Sequence, residues 1–546
     1  MNRSRAATIL LPSFAVYLVV GLTLSLKFGY LLGDALSRTY AAQAVLFSRD
    51  PHVSAIGFVF TPLTALLQLP LVAFSNLLPA LTRWNISGLI VSAVFMAGTV
   101  VVIHGICRDR GCTRTQTYVL TALFAINPMI VFYGANGMSE AVFLFFVCAA
   151  TRRLLRWVHT DDVHDLLVAG VALAFAYLTR YDAVAAVAGT AALVFLVTLL
   201  RRGGRGRAEM TRRAILDAVL VASPGLVAFL VWAATSWLIT GEALAQLSSS
   251  YGNAAILEQS GGSTGGPSEN ALFSIMAIVV LAPVLPVVLP IAAALSLRRR
   301  DLEFLVAPVV LGSVLAFQLL SFATGSTFGF LRFYICAIPL VTVAAIQWVP
   351  ARGHLTSRRP GVFARRRPEL GSAIRPVAVT VMALSAVALP VTAFAMVQPS
   401  LSSQQYALGS LFDVEPTSTE GMSARRVIAS FSTERTLAEY LDRQDLAPGS
   451  ILTDSVYGFA IVAASEHPDR FVVPSDDGFT EVLNEPAAAG VRYILTVPNV
   501  GRGESDAVNR RYPTIWDNGG GVATLALEVP NDGADQPVWR VYEVLG

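Results

Sequence analysis

Charge is what this sequence has least of. Asp, Glu, Lys and Arg make up 14% of its 546 residues, where a soluble domain carries about 25%. Hydrophobic residues reach 54% and the mean hydropathy is +0.59. That balance excludes a soluble globular protein and leaves an integral membrane protein surrounded by lipid. The net charge of +3 is small, and the basic residues fall in short clusters between apolar runs. They read as topology signals, and no nucleic-acid partner is expected. Cysteine is also scarce. Cys107, Cys112, Cys148 and Cys336 all precede residue 398, so no disulfide braces the C-terminal part. Cys107 and Cys112 lie in an Arg-rich loop that lacks a zinc pattern. No half-length repeat is present, and residues 398–546 lack a Gly-rich phosphate fingerprint.

What the chain does have is a series of apolar runs long enough to cross, or nearly cross, a bilayer. They lie near residues 9–26, 88–106, 117–133, 138–151, 166–179, 183–200, 214–239, 271–297, 304–323, 332–349 and 377–397. The first, about 18 residues long, exceeds a usual signal-peptide core and is expected to be a retained helix. With about eleven crossings, every Arg cluster falls on one side, which the positive-inside rule makes cytoplasmic. These clusters are Arg3 and Arg5, Arg108 to Arg114, Arg152 to Arg156, Arg201 to Arg213, Arg298 to Arg300, and Arg352 to Arg375. Counting residues 61–80 as a crossing would put Arg108 to Arg114 outside. That stretch is therefore expected as short helices on the membrane surface, within a first outer loop spanning 27–87 and punctuated by Pro51, Pro62 and Pro70.

The runs 138–151 and 166–179 are short, since 14 residues of helix reach only about 21 Å. The Ser- and Gly-rich loop 240–270 reads equally as a flexible linker and as a gating loop. From 398 onward the composition turns polar, with a helix at Thr433 to Leu446 and another near Thr480 to Ala489. Strands are expected at Ile451 to Thr453, Phe471 to Val473, Val491 to Val497 and Val538 to Val544. The expected fold class is a polytopic α-helical membrane protein with a small C-terminal extracytoplasmic α/β domain. Its division is 1–397 and 398–546, the second part serving as a cap, an acceptor-binding module or a purely structural unit. The N-terminus is placed in the cytoplasm of a cell with a multi-pass plasma-membrane protein.

Isolated charges at helix ends are costly in a bilayer, so their placement is informative. Asp34 and Arg38 follow the first crossing in Gly33-Asp34-Ala35-Leu36-Ser37-Arg38. Glu140 closes Asn136-Gly137-Met138-Ser139-Glu140. Arg180 and Asp182 lie in Leu178-Thr179-Arg180-Tyr181-Asp182, and Arg332 begins Leu331-Arg332-Phe333-Tyr334. All are expected at outer helix ends. Each alone also reads as an interfacial anchor; together they gather acids and arginines at one interface. His52, in the same outer loop as Asp34, reads either as a phosphate or acceptor ligand or as a turn-capping surface histidine.

This pattern resembles the GT-C superfamily of membrane glycosyltransferases, in its protein mannosyltransferase-like branch. The resemblance covers roughly residues 1–400. It rests on Gly33-Asp34 after the first helix, Phe60-Thr61-Pro62-Leu63 in the first loop, Asn136 to Glu140, Leu178 to Asp182, and Arg332 to Pro339. It implies a polyprenyl-phosphate-sugar donor, membrane lipids around the site, and a glycan, lipid or protein acceptor. Asp34 stands where the family carries its acidic catalytic residue. Ala35 and Leu36 occupy the places of an Asp-Asp or Asp-x-Asp pair, so a divalent cation is possible but unsupported and no cofactor is expected.

The chemistry needs what these residues offer. An acceptor hydroxyl needs a base, which Asp34 supplies. An oxocarbenium-like transition state is favoured by a nearby carboxylate, Asp182 or Glu140. The departing phosphate matches an Arg fork, Arg180 and Arg332 first and Arg38 third, with Tyr181 beside them. The competing readings are a transporter or flippase, favoured by the prolines Pro283, Pro286 and Pro290 in one crossing, and a non-catalytic scaffold built on residues 398–546.

Overall fold

The computed structural model describes residues 3–201, 206–249, 251–259, 265–299, 301–349, 374–411 and 418–546. The first crossing is α1 (Arg3–Leu22), continued by a π-helical turn to Lys27. Gly29, at φ +72°, then reverses the chain into α2 (Gly33–Phe47), the helix that carries Asp34. Residues 61–83 form three single turns, α3 (Leu63–Leu66), α4 (Leu69–Val72) and α5 (Ala80–Arg83). Their prolines sit at helix starts, where the missing N–H costs nothing. Phe74, Leu77 and Leu78 are left exposed between them, as surface helices facing lipid require.

The membrane bundle follows. It comprises α6 (Ile86–Arg110), α7 (Arg114–Ala125), α8 (Pro128–Gly134), α9 (Glu140–Thr160), α10 (Val163–Tyr177), α11 (Ala183–Leu200) and α12 (Arg207–Thr240). Two short helices, α13 (Ala245–Ser248) and α14 (Asn253–Gln259), occupy the outer loop. Then come α15 (Pro267–Leu281), α16 (Leu285–Arg299), α17 (Val306–Ala323), α18 (Ala337–Trp348) and α19 (Ile374–Met396). Helix therefore stands at each expected apolar run. Among the described residues six helices are long and apolar enough to cross a membrane, or eight if each bent pair is one span.

One bent pair is α7 with α8, turned by 64°; the other is α15 with α16, turned by 76°. Pro128 opens α8 and Pro283 lies in the second break, each lacking the N–H that would continue the preceding helix. Pro290, by contrast, is carried inside α16 without a break. The run expected to be short at 138–151 is the start of a 21-residue helix, α9. Its extra turns carry Arg152 and Arg153, whose charges are met by Asp109 at 2.8 Å and Asp165 at 3.0 Å. Helix α10 does stay short, at 15 residues.

Among the described residues, the clusters around Arg110, Arg152, Arg201 and Arg299 meet at one end of the bundle. Arg110 pairs with Asp301 and Glu303, and Arg201 and Arg213 both pair with Asp161. Arg299 donates to the Gln347 and Trp348 carbonyls. Residues 350–373, with Arg352 to Arg367, and the residues Arg202, Arg205 and Arg300 lie outside the described residues.

The C-terminal part carries α20 (Thr419–Ile428), α21 (Ser432–Asp442), β1 (Ile451–Leu452), α22 (Ser455–Ala464) and β2 (Phe471–Val472). It continues with α23 (Phe479–Asn484), β3 (Tyr493–Thr496), α24 (Ala507–Arg511), α25 (Ile515–Asn518), β4 (Ala523–Val529) and β5 (Trp539–Val544). The sheet order is β2-β1-β3-β5-β4. Strands β2, β1 and β3 are parallel, while β5 and β4 add antiparallel to β3. The four expected strands are present; β4 was not expected. The helix expected to reach Ala489 stops at Asn484, because Glu485 precedes Pro486 and is pushed out of the helical region.

This α/β part is not a separate body. Leu31, Leu36, Tyr40 and Ala44 share one apolar core with Leu437, Leu441, Ile461, Phe471 and Trp539. Burying a side chain such as Leu36 is worth about 1.5–3 kcal/mol, so α2 is held from the membrane-distal side. Polar contacts reinforce the junction. Arg83 donates to the Ala464 carbonyl at 2.8 Å, and Arg49 to the Asp477 carbonyl at 3.1 Å. The 240–270 loop also docks there, Tyr251 donating its hydroxyl to Asp454 Oδ2 at 2.8 Å.

Candidate active site

Four chain segments place the site. Helix α2 begins at Gly33 and puts Asp34 in its first turn, where a carboxylate favours the helix dipole. Gly137, at φ +77°, turns the chain so that Ser139 and Glu140 open α9. The turn 178–182 joins α10 to α11, and the 3-10 turn Leu331–Tyr334 precedes α18.

These segments bring the charged residues into one cluster. Asp34 Oδ2 accepts from Arg332 Nη2 at 2.7 Å. Arg332 Nε lies 3.8 Å from Glu140 Oε1, and Arg180 Nη1 donates to the same oxygen at 3.0 Å. Arg180 Nε sits 3.2 Å from both Asp182 oxygens. Gln318 of α17 closes the chain of contacts by donating to Asp182 Oδ2 at 2.9 Å. Arg38 donates to the Asp34 carbonyl, and its guanidinium covers the Phe60 ring at 4.4 Å. Phe333 lies between the Arg180 and Arg332 guanidiniums, at 5.2 Å and 5.4 Å.

Burial grades across the cluster. The Glu140 side chain is 1% exposed and Asp182 3%, whereas Asp34 is 38% exposed. The inner acids thus fix the guanidiniums, and Asp34 is the most exposed of the three acids. Packing around Asp34 would push its carboxyl pKa up, but Arg332 first, then Arg38 and Arg180, hold it below the usual carboxylate range. Several polar atoms here are buried without a hydrogen-bond partner among the described residues: Arg38 Nε, Arg332 Nε, Glu140 Oε2, Asn136 Nδ2 and Ser139 Oγ. Unmet donors and acceptors beside a charged opening are what a polar ligand would satisfy.

The structure brings together Asp34, Arg38, Glu140, Arg180, Asp182 and Arg332. Tyr181 lies against them, close enough to feel the charges of Asp182, Arg180 and Asp34. His52 is not in the cluster. Its Nδ1 is 2.6 Å from the Asp50 carbonyl and 3.7 Å from the Asp50 carboxylate, at the junction with the C-terminal part. It directly precedes the 3-10 turn Val53–Ile56. Phe60, Phe333 and Met138, whose sulfur lies 3.9 Å from Arg332 Nη1, stand in the quoted motifs without an expected role, and Gln318 was not anticipated. Gln318 did leave a signal, as a polar side chain within the apolar run of α17. Among the described residues no three His, Cys, Asp or Glu side chains form a metal cradle. A dication in the cluster would sit among three guanidiniums, so the residues present do not fit one.

Comparison with known proteins bears on the fold. Residues 73–232 match the family of dolichyl-phosphate-mannose-protein mannosyltransferases. No curated protein sequence matches the chain. Among solved structures, the chain is similar to ArnT from Cupriavidus metallidurans, bound to undecaprenyl phosphate. The TM-score is 0.56 at 12% identity, covering 99% of this chain and 98% of that one. The apo oligosaccharyltransferase of Archaeoglobus fulgidus matches with a TM-score of 0.41 at 11% identity, covering 91% of this chain and 70% of that one. The chain has the GT-C architecture that its motifs resemble: a helical membrane part with a small C-terminal sheet.

Proposed function

We propose that this protein is a glycosyltransferase that moves a sugar, a mannose-like hexose or a pentose, from a polyprenyl-phosphate donor to an acceptor hydroxyl. The reaction takes place at the outer face of a plasma membrane by a single inverting displacement. One observation carries the reading: a half-open carboxylate, Asp34, held at 2.7 Å by an arginine that a buried second acid also faces. The family match over residues 73–232 agrees with it. The lipid in the ArnT neighbour, undecaprenyl phosphate, is of the same donor class.

In this reading Arg332 exchanges partners. With the site empty its fork holds Asp34. An arriving lipid phosphate competes for the guanidinium, matching it bidentately, and Asp34 is freed as its pKa rises. The acceptor hydroxyl then gives its proton to Asp34 while its oxygen attacks the anomeric carbon. The bond from that carbon to the phosphate oxygen breaks, its electron pair leaving with the phosphate. Arg332 and Arg180 receive that charge, with Arg38 beside them. Glu140 and Asp182 keep the arginines aimed and favour the positive character of the transition state. The 398–546 part is assigned to the outer side, as a cap over the site or a platform for a glycan, lipid or protein acceptor. Residues 1–397 are assigned the chemistry.

A second reading, a transporter, draws on the 76° break between α15 and α16, since broken helices are common in transporters. Purified protein mixed with a labelled polyprenyl-phosphate sugar separates the two. Transfer or hydrolysis of the sugar, lost in Asp34→Asn, supports the enzyme. Passage of intact label across vesicles without bond cleavage overturns it.

A further inference from the structure

Asp34 and Glu140 sit on segments that are far apart in the chain, and Arg332 is the side chain that touches both acids. In the proposed reaction Arg332 must let go of Asp34. Something else has to keep the two segments in register while it does.

Asn85 occupies that place. It precedes α6 at φ +54°, a left-handed conformation that Asn tolerates better than other side chains. An Asn at such a position usually caps its own helix, yet here it makes no side-chain cap bond. Its carboxamide is turned away instead. Oδ1 lies 2.6 Å from the Thr39 hydroxyl on α2, and Nδ2 donates to the Asn136 carbonyl at 3.4 Å. Thr39 lies about one and a half helical turns beyond Asp34 on α2, and Asn136 opens the loop that ends at Glu140. The residue is 1% exposed.

The surroundings are shaped for that amide. A methyl group on Gly88 or on Gly137 would overlap it, so both glycines leave it room. Gln68 backs the arrangement, 2.7 Å from the Thr39 hydroxyl and receiving the Ser87 hydroxyl at 2.9 Å. The loop's own turn is closed by Met138 N donating to Asn136 Oδ1 at 3.0 Å.

We propose that Asn85 is a positioning residue, whose carboxamide ties the helix bearing Asp34 to the loop bearing Glu140 independently of Arg332. Its kinetic half rests on the reading of the site as a sugar-transfer centre; its structural half does not. Asn85→Gly keeps the left-handed backbone and removes the amide, while Asn85→Ala removes both. Both are made in the full-length protein in lipid nanodiscs. Hydrogen exchange is read over residues 33–47 and 136–140, and kcat and KM are read on a labelled polyprenyl-phosphate sugar. The expected result for Asn85→Gly is about tenfold or faster exchange at 136–140, with kcat lower by roughly 10–100-fold, as a misplacement of about 1 Å brings. KM stays within about threefold, since the donor contacts are intact. Exchange equal to wild type in the glycine variant overturns the proposal, and so does faster exchange with an unchanged kcat. If the wild type itself transfers no sugar, the sugar-transfer reading fails, and the exchange result alone decides the Asn85 tie.

Discussion

Asp34 and Arg332 stand 298 positions apart in the chain and share a 2.7 Å hydrogen bond. The pair is lopsided, the arginine side chain 8% exposed and the aspartate 38%. A buried cation therefore holds a reachable anion, and the anion is the partner that a substrate meets first.

The first expectation concerns that anion. Asp34→Asn keeps shape and helix start while removing the base, so sugar transfer should fall by about 10²–10⁴-fold. Stability should fall by about 0.5–3 kcal/mol, since the buried Arg332 loses one of its two counter-charges and keeps Glu140. Single-turnover assays with a labelled donor, beside a thermal unfolding curve, check both. Full turnover in the variant removes Asp34 from the mechanism.

A pH profile tests the hold of Arg332. A base works ionised, so the wild-type kcat/KM, which reports the empty site, should drop only when pH falls through the lowered Asp34 pKa. Arg332→Gln takes away the foremost lowering charge. The acidic limb of kcat/KM should then move to higher pH, and the rate plateau should fall by about 10²–10³-fold. A limb that stays put means Asp34 does not set it.

Glu140 should behave differently. It is buried between Arg180 and Arg332, and Glu140→Gln would leave two buried guanidiniums short of a counter-charge. Breaking such a pair costs about 3–5 kcal/mol, so the melting temperature should fall by several degrees. An unchanged melting curve would show that water already compensates these arginines.

The junction near His52 carries a pH signature of its own. Burial pushes the Asp476 carboxyl up to about 6, and Asp50 adds to it, while the Val473 amide, Arg49 and His52 pull it down. In the unfolded chain the value is about 3.9. Between about 4 and 6 the folded protein holds the extra proton, so stability should fall as pH rises through that window and then level off. Asp476→Asn should flatten this slope and raise the melting temperature at pH 7 relative to wild type. Melting curves at pH 4.5 and 7 in both proteins provide the check.

Much of this was legible in the sequence, for a physical reason. A full charge beside an apolar run is expensive enough to advertise itself, and Asp34, Glu140, Arg180, Asp182 and Arg332 were all found that way. Neutral polar groups cost less and blend into spans, which is why Gln318 and Asn85 went unremarked. The kink at Pro283 could be anticipated; that Pro290 is absorbed within α16 could not, because the choice depends on packing. Strand β4, ATLALEV, lies at a sheet edge with Leu525 exposed. Its sequence nevertheless alternates Ala523, Leu525, Leu527 and Val529 with Thr524, Ala526 and Glu528, so this strand was legible by its period of two. His52 shares a loop with Asp34 but meets Asp50 instead, because a shared loop does not imply a shared pocket.

Helix α2 packs against both the membrane part and the C-terminal part, and the second contact sets a limit on surgery. Because Leu36 and Tyr40 are roofed by side chains from beyond residue 430, a protein cut after the last crossing would bare a greasy ridge beside its own reaction chamber. Such a fragment should come out of the membrane as aggregate. Grafting another roof onto it would require copying that ridge's complement, side chain by side chain.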